Sequence, residues 1–253
     1  MEVHHHSHTE RKKWTHYFFE FLMLFLAVTL GFLVENQREH YVEHLRAKQY
    51  AKSLIEDLAA DTAELLDVIK EDKIILSCFD SIHSIIQTGI KNNNVPGSFY
   101  YFCNIGTFSP RVAWNNATLT QITQSGSLRY FRNIELVKKL SAYYAASDFI
   151  TGLNFGDVHY RDESIKQRGR ILNSYYYSRY SAFNIAQWLD IPDSLMKIRL
   201  PLQTNDPVLL NEFANSFETR RRVLHMAISR NYTPALQTAN ELMEMLKKEY
   251  HLK

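Results

Sequence analysis

Two groups of histidines are the residues whose types and spacing could do chemistry. His4, His5, His6 and His8 crowd the polar N-terminal stretch MEVHHHSHTERKK, with Glu2 and Glu10 as oxygen donors beside them. Neutral imidazoles clustered in this way bind Zn²⁺, Cu²⁺ or Ni²⁺. A tail without hydrophobic periodicity has no outer layer of groups to fix their geometry, so a site there is weak and unselective. The second group is His40-Tyr41-Val42-Glu43-His44, which fits the H-x-x-E-H pattern of one class of metallopeptidases. On a helix, histidines at i and i+4 reach one Zn²⁺. A third ligand is then required, and a catalytic helix belongs inside a domain rather than next to a bilayer. A membrane-tethered zinc hydrolase using His40, Glu43 and His44 is therefore the alternative reading, behind a non-enzymatic binding, sensing or scaffolding module.

Carboxylates offer a third possibility. Asp57, Asp61 and Glu64 stand four and three residues apart and share a helix face. They could attract a cation, but such a run reads first as a solvated acidic face. Cys78 and Cys103 allow one disulfide and read better as buried free thiols. The sequence carries no nucleotide-binding loop and no nucleophile motif, so no cofactor is expected. A net charge of +2 gives no reason to invoke nucleic acid.

The element that must position all of this is Tyr17 to Val34, YFFEFLMLFLAVTLGFLV, in which Glu20 is the one ionisable side chain. Counted from Trp14 the segment reaches about 31 Å as a helix, enough to cross a bilayer. Trp14 and Tyr17 suit an interfacial aromatic belt, with Arg11, Lys12 and Lys13 outside it. The run passes straight into ENQREHYVEHLRAK with no small-residue cleavage site, unlike a signal peptide. From Phe32 to Thr88 there is neither Gly nor Pro. Val42, Leu45, Leu54, Ile55, Leu58, Leu65 and Ile69 recur at helical spacing, so the span continues as an amphipathic stalk. Glu71-Asp72-Lys73 is the expected break. The organisation is thus a polar tail (1–16), a transmembrane helix (17–34), a stalk (35–72) and a helical body (73–253).

Within the body, residues 89–116 read as loop, with Phe99 to Phe102 packing on helices or making a short strand. A short helix follows at Thr118 to Gln124, stopped by Gly126, and Asn133 is an N-cap for a helix ending near Gly152. Asp157 to Leu189 reads as another long helix whose Tyr175, Tyr176, Tyr177, Tyr180, Phe183 and Trp188 form an interface inside the domain. Residues 193–205 are an irregular connection. Asp206-Pro207 and Thr233-Pro234 each mark a helix start. The class is all-α, an antiparallel helical bundle on a membrane anchor.

Two blocks carry a resemblance. The N-terminal run through ENQREH and SLIEDLAADTAEL, and NATLTQITQSGSLRYFRNIELVKKLSAYY further on, resemble a family of single-pass membrane-anchored proteins of Bacteroidota that has no assigned activity. The resemblance implies a bacterial inner-membrane location and a native histidine cluster, and brings no catalytic residues. Arg11, Lys12 and Lys13 before the span are balanced against Arg38, Arg46, Lys48 and Lys52 after it; the contiguous leading charges favour a cytoplasmic N-terminus and a periplasmic body. The expected partners are the lipid bilayer, an unidentified protein, and a second copy along Phe32 to Leu58.

Overall fold

The computed structural model describes residues 14–185 and 191–252, and residues 154–156 by their backbone alone. His4, His5, His6 and His8 lie outside the described residues, as does Trp188. The chain divides into two units, Met1–Gln49 and Tyr50–Lys253. Helix α1, Trp14–Ser84, contributes to both.

In the first unit the part of α1 from Trp14 to Val34 carries apolar side chains around its whole circumference, with Glu20 the one acidic residue among them, and these side chains are exposed or half-buried. Phe18, Phe21, Leu24, Phe25 and Phe32 are among the exposed ones. An α-helix satisfies its own backbone, so a segment of this kind is long and apolar enough to cross a bilayer.

In the second unit α1 buries Ala51, Leu54, Leu58, Asp61, Leu65, Val68, Asp72, Ile75, Phe79 and Ile82. The intervals alternate three and four without a slip, the seam of a helix packed in a left-handed bundle. Burying each Leu, Ile or Phe in such a seam contributes about 1.5–3 kcal/mol. That continuous seam is why α1 runs straight through Glu71-Asp72-Lys73, where a break is expected from the sequence. A short π-helical segment, Ile85–Gly89, ends it at the glycine that closes the Gly- and Pro-free run.

The long helix α4, Ile134–Ile171, follows the same rule. Leu136, Leu140, Tyr143, Ser147, Ile150, Asp157, Ser164 and Ile171 are buried on one seven-residue phase. Asn133 caps it as expected, its side chain accepting from the Leu136 N–H at 3.1 Å. The predicted stop at Gly152 does not occur: the glycine sits on the exposed face, where it costs ~1 kcal/mol against Ala, less than the seam gains. The third long element joins α7 (Pro207–Met226), a π segment (Ala227–Tyr232) and α8 (Thr233–Tyr250). Asp206 and Pro207 start it, the Asp206 carboxylate accepting from the Val208 N–H at 2.8 Å.

Thr233-Pro234 does not start a separate helix, because the backbone stays helical from Met226 to Thr233. The spacing explains the π turns. Leu210, Phe213, Phe217, Arg220 and Leu224 are one buried seam, and Tyr232, Ala235, Ala239, Leu242 and Leu246 are another. From Leu224 to Tyr232 is one residue more than a heptad. A π segment absorbs that residue and keeps both seams facing the core. It also relieves the crowding caused by Pro234, which has no N–H to donate.

Cross-contacts fix the directions. Lys139 with Glu241, and Arg170 with Glu212 at 3.4 Å, set α4 antiparallel to α7–α8. Tyr143 bonds Asp61 while Asp157, farther along α4, faces Asp72, so α4 runs parallel to α1. The bundle is therefore of mixed direction, and residues 90–133 form the crossover that returns the chain to the start of α4. The all-α class expected from the sequence is the one observed.

The crossover is more ordered than a loop. Asn94–Pro96 (β1) pairs antiparallel with Arg199–Pro201 (β2), the short α6 (Asp193–Lys197) lying just before the latter. Residues 97–105 form a helix, α2 (Gly97–Ile105), whose Phe99, Tyr100, Tyr101 and Cys103 are buried. A Cβ on Gly97 would stand 1.9 Å from the Leu195 carbonyl oxygen, so only glycine allows this approach. Helix α3, Ala117–Gln124, ends at Gly126 in the left-handed region, φ 67°.

The tyrosine-rich stretch is not one long helix, for α4 stops at Ile171 and a short α5 spans Ser174–Tyr177. Most of its rings do pack inside. Tyr180 is fully buried against Tyr100, and Tyr177 donates to Asn104 Oδ1 at 2.7 Å. Tyr175 is exposed. Cys78 and Cys103 are both buried free thiols.

Candidate functional site

The charged side chains in the seams are grouped in two layers. The first forms around Asp61, fully buried rather than part of a solvated face. Its carboxylate accepts from Tyr143 Oη at 2.9 Å, from the Asn115 N–H at 2.7 Å and from Asn115 Nδ2 at 3.1 Å. Burial and the neighbouring Asp61 push the Tyr143 hydroxyl well above its ordinary range. One turn earlier Asp57 accepts from the Thr118 N–H at 3.2 Å. That amide is in the first turn of α3, whose own N-cap residue, Asn116, supplies no side-chain bond. The two aspartates thus cap α3 and its approach from α1, anions at a helix N-terminus where they are favoured. Every oxygen named here has a protein donor. This layer is structural.

The second layer lies deeper along α1. Arg220 on α7 is fully buried and grips Asp157 on α4 with two parallel bonds, Nε to Oδ1 at 2.9 Å and Nη2 to Oδ2 at 3.0 Å. Its remaining donors reach carbonyls of the chain after α2: Gly106 O from Nη1, and Phe108 O from Nη2 at 2.8 Å. Ser109 Oγ also donates to Asp157 Oδ2. The pair is fully hydrogen-bonded, as a buried ion pair must be.

Asp72 stands beside this pair and takes no part in it. It is 1% exposed, and both of its oxygens are buried without a hydrogen-bond partner among the described residues. Burial first, then the nearby Asp157 charge, pushes its carboxyl up to about 8, against the pull of Arg220. Asn93 Oδ1 and Trp114 Nε1 are also buried without a hydrogen-bond partner among the described residues, but a carboxyl is costlier to bury in this way than a neutral amide or indole.

A cavity of about 230 Å³ opens next to it. Asp72, Ser109 and Asp157 give it a polar edge; Pro110, Ile150, Val223, Leu224 and Ala227 line the rest. Its mouth is marked by Leu153 (44% exposed), Met226 (43%) and Tyr160. Asn231 and Tyr232 complete the wall, so the π turns between α7 and α8 are one side of the cavity. Irregular helical turns of this kind are frequent at functional sites.

His40 and His44 lie one turn apart on α1 in the first unit, with His40 Nδ1 3.5 Å from Glu43 of the same turn. Among the described residues no group of three or more His, Cys, Asp or Glu is placed to hold a metal ion. The sequence reading singled out Asp57 and Asp61 but passed over Asp72, Asp157 and Arg220. The signal that finds them is the phase of the seams, in which each of the three occupies a core position.

Comparison of this chain with family models, curated proteins and solved structures gives no match.

Proposed function

We propose that the protein is a membrane-anchored, non-enzymatic binding module, in which the helical body holds a small molecule in the cavity beside Asp72. The observation that carries this reading is the buried, unpartnered carboxyl of Asp72, a residue in the lining of a largely apolar cavity. Ligand sites are apolar recesses with a few convergent polar groups, and this cavity has that composition. Nothing in the layer is arranged as nucleophile and base: Asp157 and Arg220 neutralise one another, and Ser109 donates to a carboxylate that already holds the guanidinium.

The reading places Trp14 to Val34 in a bacterial inner membrane, with the tail cytoplasmic and the body periplasmic. The exposed apolar surface of that helix supports the bilayer part. The leading Arg11, Lys12 and Lys13 support the orientation. The resemblance to membrane-anchored proteins of Bacteroidota belongs to the same proposal.

The test is ligand-observed NMR of the full chain in lipid nanodiscs, screened with small apolar fragments. Fragments bind the wild type and are displaced by Val223→Phe, which fills the cavity. A wild type that binds no fragment at millimolar concentration contradicts the reading.

A further inference from the structure

The geometry points to a primary amine as the occupant of this cavity, an ammonium head on a compact apolar body, with the head bound by Asp72. The inference rests on the cavity being a ligand site and adds the chemical class of the ligand.

Charge is the first argument. Asp72, Asp157 and Arg220 together carry a formal −1 when ionised, and Arg220 is committed to Asp157 and two carbonyls. Asp72 is left as the uncompensated member, fully enclosed in a low-dielectric wall. A single positive charge at its oxygens brings the cluster to neutrality and supplies the missing donors at once. Glu71, the neighbouring acid on α1, adds to the negative potential, and the two tyrosines in the lining, Tyr160 and Tyr232, bring no cationic group to compete for the carboxyl.

The lining then selects among cations. A divalent metal wants several oxygen ligands, and among the described residues no such group exists here. Ile150, Leu153, Val223 and Leu224 suit hydrocarbon instead. Size sets the body. An engineered aliphatic cavity of about 150 Å³ holds benzene. At about 230 Å³ this one takes a ring, or a short chain, plus a one- or two-carbon arm and a nitrogen. Two unpartnered oxygens call for N–H donors, which a primary ammonium has and a quaternary one lacks.

The experiment uses the full chain in lipid nanodiscs, with empty nanodiscs subtracted, and four probes: benzylamine, benzyl alcohol, toluene and benzyltrimethylammonium. Benzylamine binds at least tenfold tighter than benzyl alcohol or benzyltrimethylammonium. Asp72→Asn weakens benzylamine by about tenfold to a hundredfold, the range of a charge-assisted hydrogen bond, and leaves toluene unchanged, which also reports that the variant is folded. Equal affinity for benzylamine and benzyl alcohol, equal affinity for the quaternary ion, or indifference of benzylamine to Asp72→Asn overturns the amine inference while leaving the cavity a ligand site. Failure of every probe to bind, toluene included, removes the ligand site itself and the inference with it.

Discussion

Arg220 holds Asp157 through two parallel bonds of 2.9 and 3.0 Å at the centre of a bundle whose neighbouring seam positions are Phe217 and Leu224. The pair ties α4 to α7 and, through the carbonyls of Gly106 and Phe108, ties both to the chain after α2. It therefore sets one wall of the cavity and leaves Asp72, a neighbour in charge only, without a partner.

Breaking that pair strands a buried charge. Arg220→Met is expected to destabilise the protein by about 3–5 kcal/mol, and Asp157→Leu by a similar amount. The double variant recovers much of the loss, though not all, because the two carbonyls and Ser109 stay unsatisfied. Chemical denaturation of the full chain in detergent measures each, and additive losses would show that the pair is not coupled.

Asp72 acts in the opposite sense. Its proton is held to about pH 8 in the folded chain and leaves near pH 4 in the unfolded one. Between those values the native state binds more protons, so stability falls as pH rises. Asp72→Asn removes this slope and gains up to about 5 kcal/mol at pH 8, with little change at pH 4. Melting curves from pH 4 to 9 check it; a parallel pH dependence in both proteins would refute it.

The Asp61 layer behaves as a scaffold. Asp61→Leu leaves Tyr143 Oη and the Asn115 N–H without their acceptor and costs about 2–4 kcal/mol. Asp57→Ala, which removes a cap from α3, costs about 1 kcal/mol. Neither alters the binding of small molecules in the cavity. Loss of binding in a folded variant would move the site to this layer.

The extra residue between Leu224 and Tyr232 is expected to serve the cavity. Deleting exposed Ser229 restores a heptad interval, so both seams stay in register and the π turns become α. The fold and helicity persist, while toluene binding weakens at least tenfold. Unchanged binding would show that the π segment has no part in shaping the cavity.

Self-association along the stalk is expected only where α1 is not already covered. Leu54 and Leu58 are fully buried within the second unit, whereas Leu45 is 42% exposed. In native membranes under mild oxidation, Leu45→Cys cross-links between copies and Leu58→Cys does not. A monomeric Leu45→Cys, with the protein folded, removes the second copy as a partner.

The sequence made the long apolar helix legible, because eighteen residues with one ionisable side chain have few other uses. It also gave the capping residues Asn133 and Asp206 and the all-α class. It misplaced the breaks. Gly152 costs about 1 kcal/mol of helix propensity and Pro234 removes a backbone donor, and the clustered charges of Glu71-Asp72-Lys73 look solvent-facing, yet each sits in a helix held by seam burial. The same feature hid the site. Asp61, Asp72, Asp157 and Arg220 resemble surface charges until the three-and-four spacing is phased through Leu58, Leu65 and Phe79, or through Phe213, Phe217 and Leu224. Which partners they meet depends on the crossover of residues 90–133, whose pairing of β1 with β2 spans about a hundred residues and leaves little local signal.

Difference infrared spectroscopy of the carboxyl C=O stretch, wild type against Asp72→Asn in nanodiscs, tests the central claim most directly. At pH 6 the wild type shows a protonated, non-hydrogen-bonded carboxyl band that the variant lacks, and the band disappears as pH passes about 8. Saturating benzylamine at pH 6 removes the same band, as the carboxyl ionises against the ammonium. No Asp72-dependent band at pH 6, or a band that benzylamine leaves in place, would contradict the account of Asp72 as the buried, unpartnered group that receives the ligand.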